Sequence, residues 1–255
     1  MSPPSDPRRR FTSRVADYVR ARPGYPVEVV SALRAAFDLD PGATIADVGA
    51  GTGIASELFL RHGYRVVAVE PNDAMRAAMD ERLEDMTGFR SVVGGAENTS
   101  LAPGSVDAVV AAQAFHWFDR PRFREESLRI LKPGGVVALV WNARRAVGPF
   151  GSAYEDLLRR FAIDYETVRH EDVSDLDIEA FFGSPPRRWT FDNRQVLDFE
   201  GLTARLLSSS YTPPEAHPAR APMLAALREI FEANAENGRV VMEYDCGLHA
   251  GPLAA

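Results

Sequence analysis

The apolar positions keep two alternating rhythms between Val27 and Trp141. Five short apolar runs begin at Thr44, Val66, Phe89, Val106 and Val136. They read as strands. Between them Val27–Phe37, Ala55–His62, Ala74–Leu83 and Phe123–Leu131 read as helices, the first with Val30, Leu33 and Phe37 on one side. Asp73 is placed to cap the third, and Gly63 to close the second. The run Val106–Ala112 is almost unbroken in apolar character, the mark of a strand buried on both faces, as parallel strands are. Strands alternating with helices at this spacing predict a parallel α/β sheet covered on both sides.

Upstream, Phe11–Ala21 has helical spacing through Phe11, Val15, Tyr18 and Val19, and the run Arg22-Pro23-Gly24-Tyr25-Pro26 breaks it. Residues 1–10, rich in Pro, Ser and Arg, read as a disordered tail. After Asn142 the rhythm changes. Phe150–Phe161 reads as a helix, Asp164–Asp177 is acidic and aperiodic, and Ser174 caps a short helix ending near Phe182. Arg187–Asp192 and Arg239–Asp245 read as two more strands, with helices Glu200–Leu207 and Pro222–Ala235 between them. The expected organisation is a core over 11–142, a helical cap insertion over 143–186 above the open end of the sheet, and the rest of the core sheet over 187–255.

Composition narrows the classes. A chain of 255 residues with 45% hydrophobic and 25% charged residues forms one large domain, or one with an insertion. A net charge of −7 weighs against nucleic acid or an anionic membrane as partner, and Arg8-Arg9-Arg10 reads as a solvated tail. The single cysteine, Cys246, permits no intramolecular disulfide and no cysteine metal cluster. No apolar run is long enough to span a membrane, and Met1–Pro7 lacks the core of a signal peptide. The expectation is a soluble, cytoplasmic protein, monomer or homodimer.

The chemistry concentrates where the first strand ends. Gly49, Gly51 and Gly53 let the backbone turn tightly and let a ligand approach it, with Asp47 just before them. Glu70 ends the second strand, where an acid suits the two hydroxyls of a ribose. This predicts a nucleoside-containing cofactor at the C-terminal edge of the sheet. The nicotinamide fingerprint wants a small residue three positions after its second glycine; counting from Gly51, that position holds Ile54.

The pattern Asp-x-Gly-x-Gly-x-Gly from Asp47 to Gly53 resembles that of the class I S-adenosylmethionine-dependent methyltransferases, in their small-molecule type 11 branch. Gly94-Gly95-Ala96-Glu97 and Leu131-Lys132-Pro133-Gly134-Gly135 extend the resemblance. Phe115-His116-Trp117, with Tyr18, Arg22-Pro23 and Tyr25-Pro26, is similar to a subgroup near the trans-aconitate methyltransferases. The resemblance covers Phe11–Trp141 well and the remainder loosely. It implies a Rossmann-like three-layer α/β/α sandwich with a mostly parallel seven-stranded sheet and an antiparallel last strand. It implies S-adenosylmethionine as cofactor and S-adenosylhomocysteine as product. Asp47, Gly49, Gly51 and Gly53 would form the cofactor turn and Glu70 would hold ribose. Pro71, Asn72 and Met75 would flank the adenosine, and Tyr18 or Arg22 would meet the methionine carboxylate. Gly95 stands where the family carries an adenine-binding Asp, so adenine falls to Ala96, Glu97 and backbone groups. The N-terminal helix and the 143–186 insertion would form a lid.

The remaining residues agree with that chemistry. There is no Ser/His/Asp arrangement, no metal-ligand cluster and no phosphate loop. In-line methyl transfer mainly requires holding nucleophile, carbon and sulfur aligned and dry. Gln113, Phe115, His116 and Trp117 lie just past the fourth strand, beside the crevice. The aromatic rings either wall a sulfonium or pack the core; His116 is either a proton acceptor or a hydrogen-bonded structural residue. Arg144, Arg145, Arg187 and Arg188 flank the cap as binders of an acidic substrate or as surface charge, and Tyr154, Tyr211 and Trp189 line a pocket or pack. The expected reaction is O- or N-methylation of a small molecule, such as a carboxylate or a natural product. The rivals are a cofactor-binding regulator, isomerase or cyclase, a nicotinamide oxidoreductase, and a nucleic-acid methyltransferase. The last is disfavoured by the acidic balance and by Gln113-Ala114-Phe115-His116 standing where an Asn/Asp-Pro-Pro-Tyr/Phe tetrapeptide would be.

Overall fold

The computed structural model of the chain describes residues 21–163, 165 and 173–254. The expected tail, Tyr18 and nearly all of the first predicted helix lie outside these residues, as does most of the acidic stretch from Asp164.

In chain order the described elements are α1 (Glu28–Phe37), β1 (Thr44–Val48), α2 (Ile54–Arg61), β2 (Arg65–Val69), α3 (Asp73–Leu83), β3 (Phe89–Val92) and β4 (Val106–Ala112). There follow α4 (Arg120–Ile130), β5 (Leu131–Arg144), α5 (Gly148–Phe161), α6 (Asp175–Phe182), β6 (Arg187–Leu197), α7 (Phe199–Leu207), α8 (Arg220–Asn234) and β7 (Val240–Gly251). The seven strands form one sheet in the order β3-β2-β1-β4-β5-β7-β6. β1 to β5 pair in parallel, and β7 runs antiparallel between β5 and β6. The last strand in sequence is therefore inserted in the sheet and does not form its edge.

The strand alternation sorts side chains to the two faces. Ile45, Val66, Ala68, Ala108 and Val110 pack on one side with Leu33, Phe59, Met79 and Leu83 of α1, α2 and α3. Ala46, Val48, Val69, Val109 and Ala111 pack on the other with Phe123 and Ile130 of α4 and Phe181 and Phe182 of α6. A third cluster joins Tyr154, Leu157 and Leu158 of α5 to Leu202 and Leu206 of α7, Met223 and Leu227 of α8, and Met242 and Tyr244 of β7.

Two sequence expectations change. The helix of the expected insertion, α5, packs with α7 and α8, while α6 joins the sheet layer. There Phe181 stacks on Phe123 at 5.3 Å and its carbonyl accepts from Arg124 Nε at 2.9 Å. The Lys132–Gly135 run is a bulge inside β5 and not a turn before it. Pairing shifts between Val106↔Leu131 and Ala108↔Val136, and Lys132 Nζ meets both Asp107 oxygens at 2.8 Å. Asn72 and not Asp73 caps α3, its side-chain oxygen accepting from the amides of Ala74 and Met75.

Candidate functional site

β1 ends in a turn whose three glycines do different work. All three have positive φ: 70° at Gly49, 57° at Gly51 and 79° at Gly53. A Cβ on Gly49 would stand 2.8 Å from Ala114 Cβ, so this glycine lets the loop after β4 close over the turn. A Cβ on Gly53 would meet Leu83 Cδ1 at 2.6 Å and Met79 Cγ at 2.8 Å, so this one lets α3 pack on α2. At Gly51 nothing lies within 4 Å of the Cβ position. Among the three, Gly51 presents bare backbone to open space, the form a ligand cradle takes.

Glu70 locks that cradle. Its Oε2 accepts from the Gly51 amide at 2.9 Å and its Oε1 from the Asn72 amide at 2.8 Å. An ionised carboxylate has about four acceptor sites, so two remain for hydroxyls. Burial pushes the Glu70 carboxyl above its usual range, and the two amide donors only partly offset this. Asp47 lies beneath the turn and is fully buried. Its Oδ2 accepts from Ser56 Oγ at 2.6 Å, while its Oδ1 has no hydrogen-bond partner. Burial pushes the Asp47 carboxyl up to about 6. A buried acceptor without a partner beside an open glycine fits a ligand that brings donors or positive charge.

The turn, Glu70, Asn72 and the loop after β4 therefore converge on one edge of the sheet. Ala96 is buried and belongs to the same side of the sheet as Val69. Met75 is buried beside the Asn72 cap. Glu97 Oε1 accepts from the Asp119 amide at 3.0 Å. A Cβ on Gly95 would meet only Glu97 Oε2, at 3.4 Å, and Gly95 has no positive φ. The backbone thus does not require glycine there, and the Glu97 carboxylate lies beside it. Gln113 holds φ 55°, a left-handed conformation in a non-glycine residue, with Nε2 donating to the Asn142 carbonyl at 3.0 Å and Oε1 buried without a partner.

The residues after β4 divide. Phe115, grouped with the cofactor ligands on sequence, is fully buried among Phe123, Trp141 and Phe181, with Phe181 at 4.9 Å. Its ring packs the core, because the short helical turn Phe115–Trp117 points its first side chain inward. His116 and Trp117 are partly exposed on that turn, with ring centroids 4.8 Å apart. Arg22 Nη2 donates to the Ser208 carbonyl at 2.8 Å, tying the 21–24 segment to the end of α7. Asn142 Nδ2 and Asn193 Nδ2 both donate to the Gly24 carbonyl, at 3.1 and 2.8 Å. Ser56, Asn142 and Asn193 were not singled out by sequence; Ser56 offers one signal, a hydroxyl on the otherwise buried face of α2. Among the described residues no group of three metal-ligating side chains occurs and no helix is long and apolar enough to cross a membrane.

Residues 46–139 match the family model for the methyltransferase domain of type 11. An uncharacterized methyltransferase of Mycobacterium tuberculosis (strain H37Rv) is 40% identical over 138 residues, 52% of this chain and 52% of that protein. An uncharacterized methyltransferase-like protein of Schizosaccharomyces pombe is 32% identical over 157 residues, 61% of this chain and 60% of that one. The match thus spans about half to three-fifths of the length of these relatives. A solved structure from Anaeromyxobacter dehalogenans, described as a candidate type II methyltransferase, superposes with a TM-score of 0.61 at 24% identity, over 91% of this chain and 98% of that one. That likeness shows the fold.

Proposed function

Taking residues 46–139 as a methyltransferase domain of the class I, S-adenosylmethionine-dependent type, we propose that the chain transfers the methyl group of S-adenosylmethionine to an oxygen or nitrogen of a small molecule. The observation that carries this reading is the pairing of Glu70 with the Gly51 and Asn72 amides beside the open face of Gly51. In this reading the free acceptor sites of Glu70 take the ribose hydroxyls. Pro71, Asn72 and Met75 lie along the adenosine, and Ala96 and Glu97 at the adenine. Asp47 supplies negative charge beneath a cofactor whose sulfonium and ammonium are positive.

The bound cofactor supplies an electrophilic methyl on sulfur, a good leaving group. The chain's own task is to align the acceptor and keep water out. The loop after β4 closes one side through the Gly49–Ala114 approach. Trp117 and His116 border it, and His116 takes a proton where the acceptor is a hydroxyl or an amine. The cap of α5, α7 and α8 and the segment from Ala21 to Gly24 bound the acceptor side.

The test is release of S-adenosylhomocysteine from S-adenosylmethionine across a panel of carboxylic acids, phenols and amines. Acceptor-dependent release by at least one class is expected. Tight cofactor binding with no release from any class would favour a regulator, isomerase or cyclase on the same scaffold.

A further inference from the structure

The two edges of the sheet differ. One is β3, four residues long from Phe89 to Val92. The other is β6, eleven residues from Arg187 to Leu197, paired with β7 along its whole length without a register shift. Natural proteins blunt an exposed sheet edge by shortening it, bulging it or placing Pro or Lys on it. β3 is blunted by its length. β6 carries no bulge, no proline and no lysine.

The backbone of β6 points outward at its even-numbered positions. The Glu243 carbonyl accepts from the Arg145 amide, so Glu243 turns its backbone groups toward β5. Its partner in the ladder is Arg194, and this pair is therefore one that exchanges no backbone hydrogen bonds. Arg194 consequently aims its amide and carbonyl away from β7, and the amide donates locally to Asn193 Oδ1 at 2.9 Å. By alternation Arg188, Thr190, Asp192 and Val196 also turn their backbone groups outward. Among the described residues no other hydrogen bond reaches these outward groups. The side chains of the same five positions are exposed.

The charges beside this edge are unbalanced. The Asp192 side chain is 88% exposed and shares one guanidinium, that of Arg145, with Glu243 and Asp245. Arg194, exposed on the same face, forms no ion pair with any described residue.

We propose that β6 pairs antiparallel with β6 of a second copy of this chain, about a two-fold axis through Asn193, joining the two sheets into one. Charge selects the axis. Outward groups must meet outward groups, so even positions face even positions. An axis at Phe191 would set Arg188 against Arg194. One at Asp192 would set that carboxylate against its own copy, and one at Arg194 would do the same with two guanidiniums. Like charges directly opposite one another oppose pairing. The axis at Asn193 places Asp192 of each chain opposite Arg194 of the other, and Thr190 opposite Val196, a β-branched pair. The Arg194 amide then exchanges its local Asn193 contact for the Asp192 carbonyl of the second copy. The three carboxylates that share Arg145 gain a second cation. Because the contact uses the same strand on both chains, assembly through it stops at two. The inference does not depend on the methyl-transfer reading.

Sedimentation equilibrium of the full-length chain across the micromolar range tests it. The mass of two chains is expected at the upper end. Arg194→Glu sets like charges opposite one another and is expected to raise the dissociation constant at least tenfold. This position is exposed and has no ion pair to lose, so the melting temperature of the variant is expected to stay near that of the wild type. Adding Asp192→Arg to Arg194→Glu restores opposite charges across the axis and is expected to recover most of the affinity. A single-chain mass at every concentration overturns the proposal, whatever other segment or protein then covers the edge. So does a dimer whose dissociation constant is unchanged in Arg194→Glu, or is not recovered in the folded double variant, since it would use another surface or register. If the double variant does not fold, the comparison of wild type with Arg194→Glu decides.

Discussion

Replacing Asp47 with Asn removes a buried carboxyl whose ionisation the fold resists. Burial raises this carboxyl from an ordinary 3.8 to about 6. Between those values the folded chain holds a proton that the unfolded chain has released, so stability falls as pH rises through this window. The shift of about two units, at roughly 1.4 kcal/mol each, gives a penalty of about 3 kcal/mol, fully developed above pH 6. Asn keeps an acceptor for Ser56 Oγ and never ionises. The stability of Asp47→Asn relative to wild type is therefore expected to grow by about 3 kcal/mol between about pH 3 and pH 8. For a chain of this size that is roughly 6–12 °C in Tm. Urea unfolding of both proteins at half-unit pH steps measures it, and groups common to both cancel in the difference. The variant is expected to bind S-adenosylmethionine more weakly, and wild-type affinity to rise as pH passes 6. A stability difference that stays flat across the series refutes the assignment of a raised Asp47, and with it the view that this carboxyl is kept at a cost to stability.

The glycines separate by the same reasoning. Gly51→Ala meets no atom but keeps φ 57°, so a stability loss of about 1–2 kcal/mol is expected together with at least a tenfold loss of cofactor affinity. Gly53→Ala drives a methyl against Leu83 and Met79, so its loss in denaturant melts should exceed that of Gly51→Ala by about 1–3 kcal/mol. Glu155→Gln strands Arg144 as a buried cation without a counter-ion, and a loss of about 3 kcal/mol is expected in urea unfolding at pH 7.

Where local pattern and tertiary packing agree, the sequence was readable. The unbroken run of β4 and the alternation of β1 placed the centre of the sheet, and the Asp47–Gly53 turn and Glu70 meet as their spacing implied. The misreadings share a cause. Lys132–Gly135 has turn composition, yet Lys132 pairs with Asp107 of β4, where the β4–β5 register shifts and the run bulges within β5. Asp73, read as the cap, lies inside α3, and the backbone places Asn72 at the cap position with φ −83°, ψ 115°. Phe115 reads equally as a ligand wall or as core, and its contact with Phe181, which lies far along the chain, is what no local pattern announces. Arg205 is one polar residue in an amphipathic helix; its burial is decided by Tyr244 on the last strand, which no local pattern in α7 announces.

Isothermal titration of S-adenosylmethionine into the wild-type chain and Glu70→Ala tests the central claim most directly. The account predicts one site per wild-type chain and at least tenfold weaker binding to folded Glu70→Ala. No binding to wild type, or wild-type affinity in the folded variant, contradicts it.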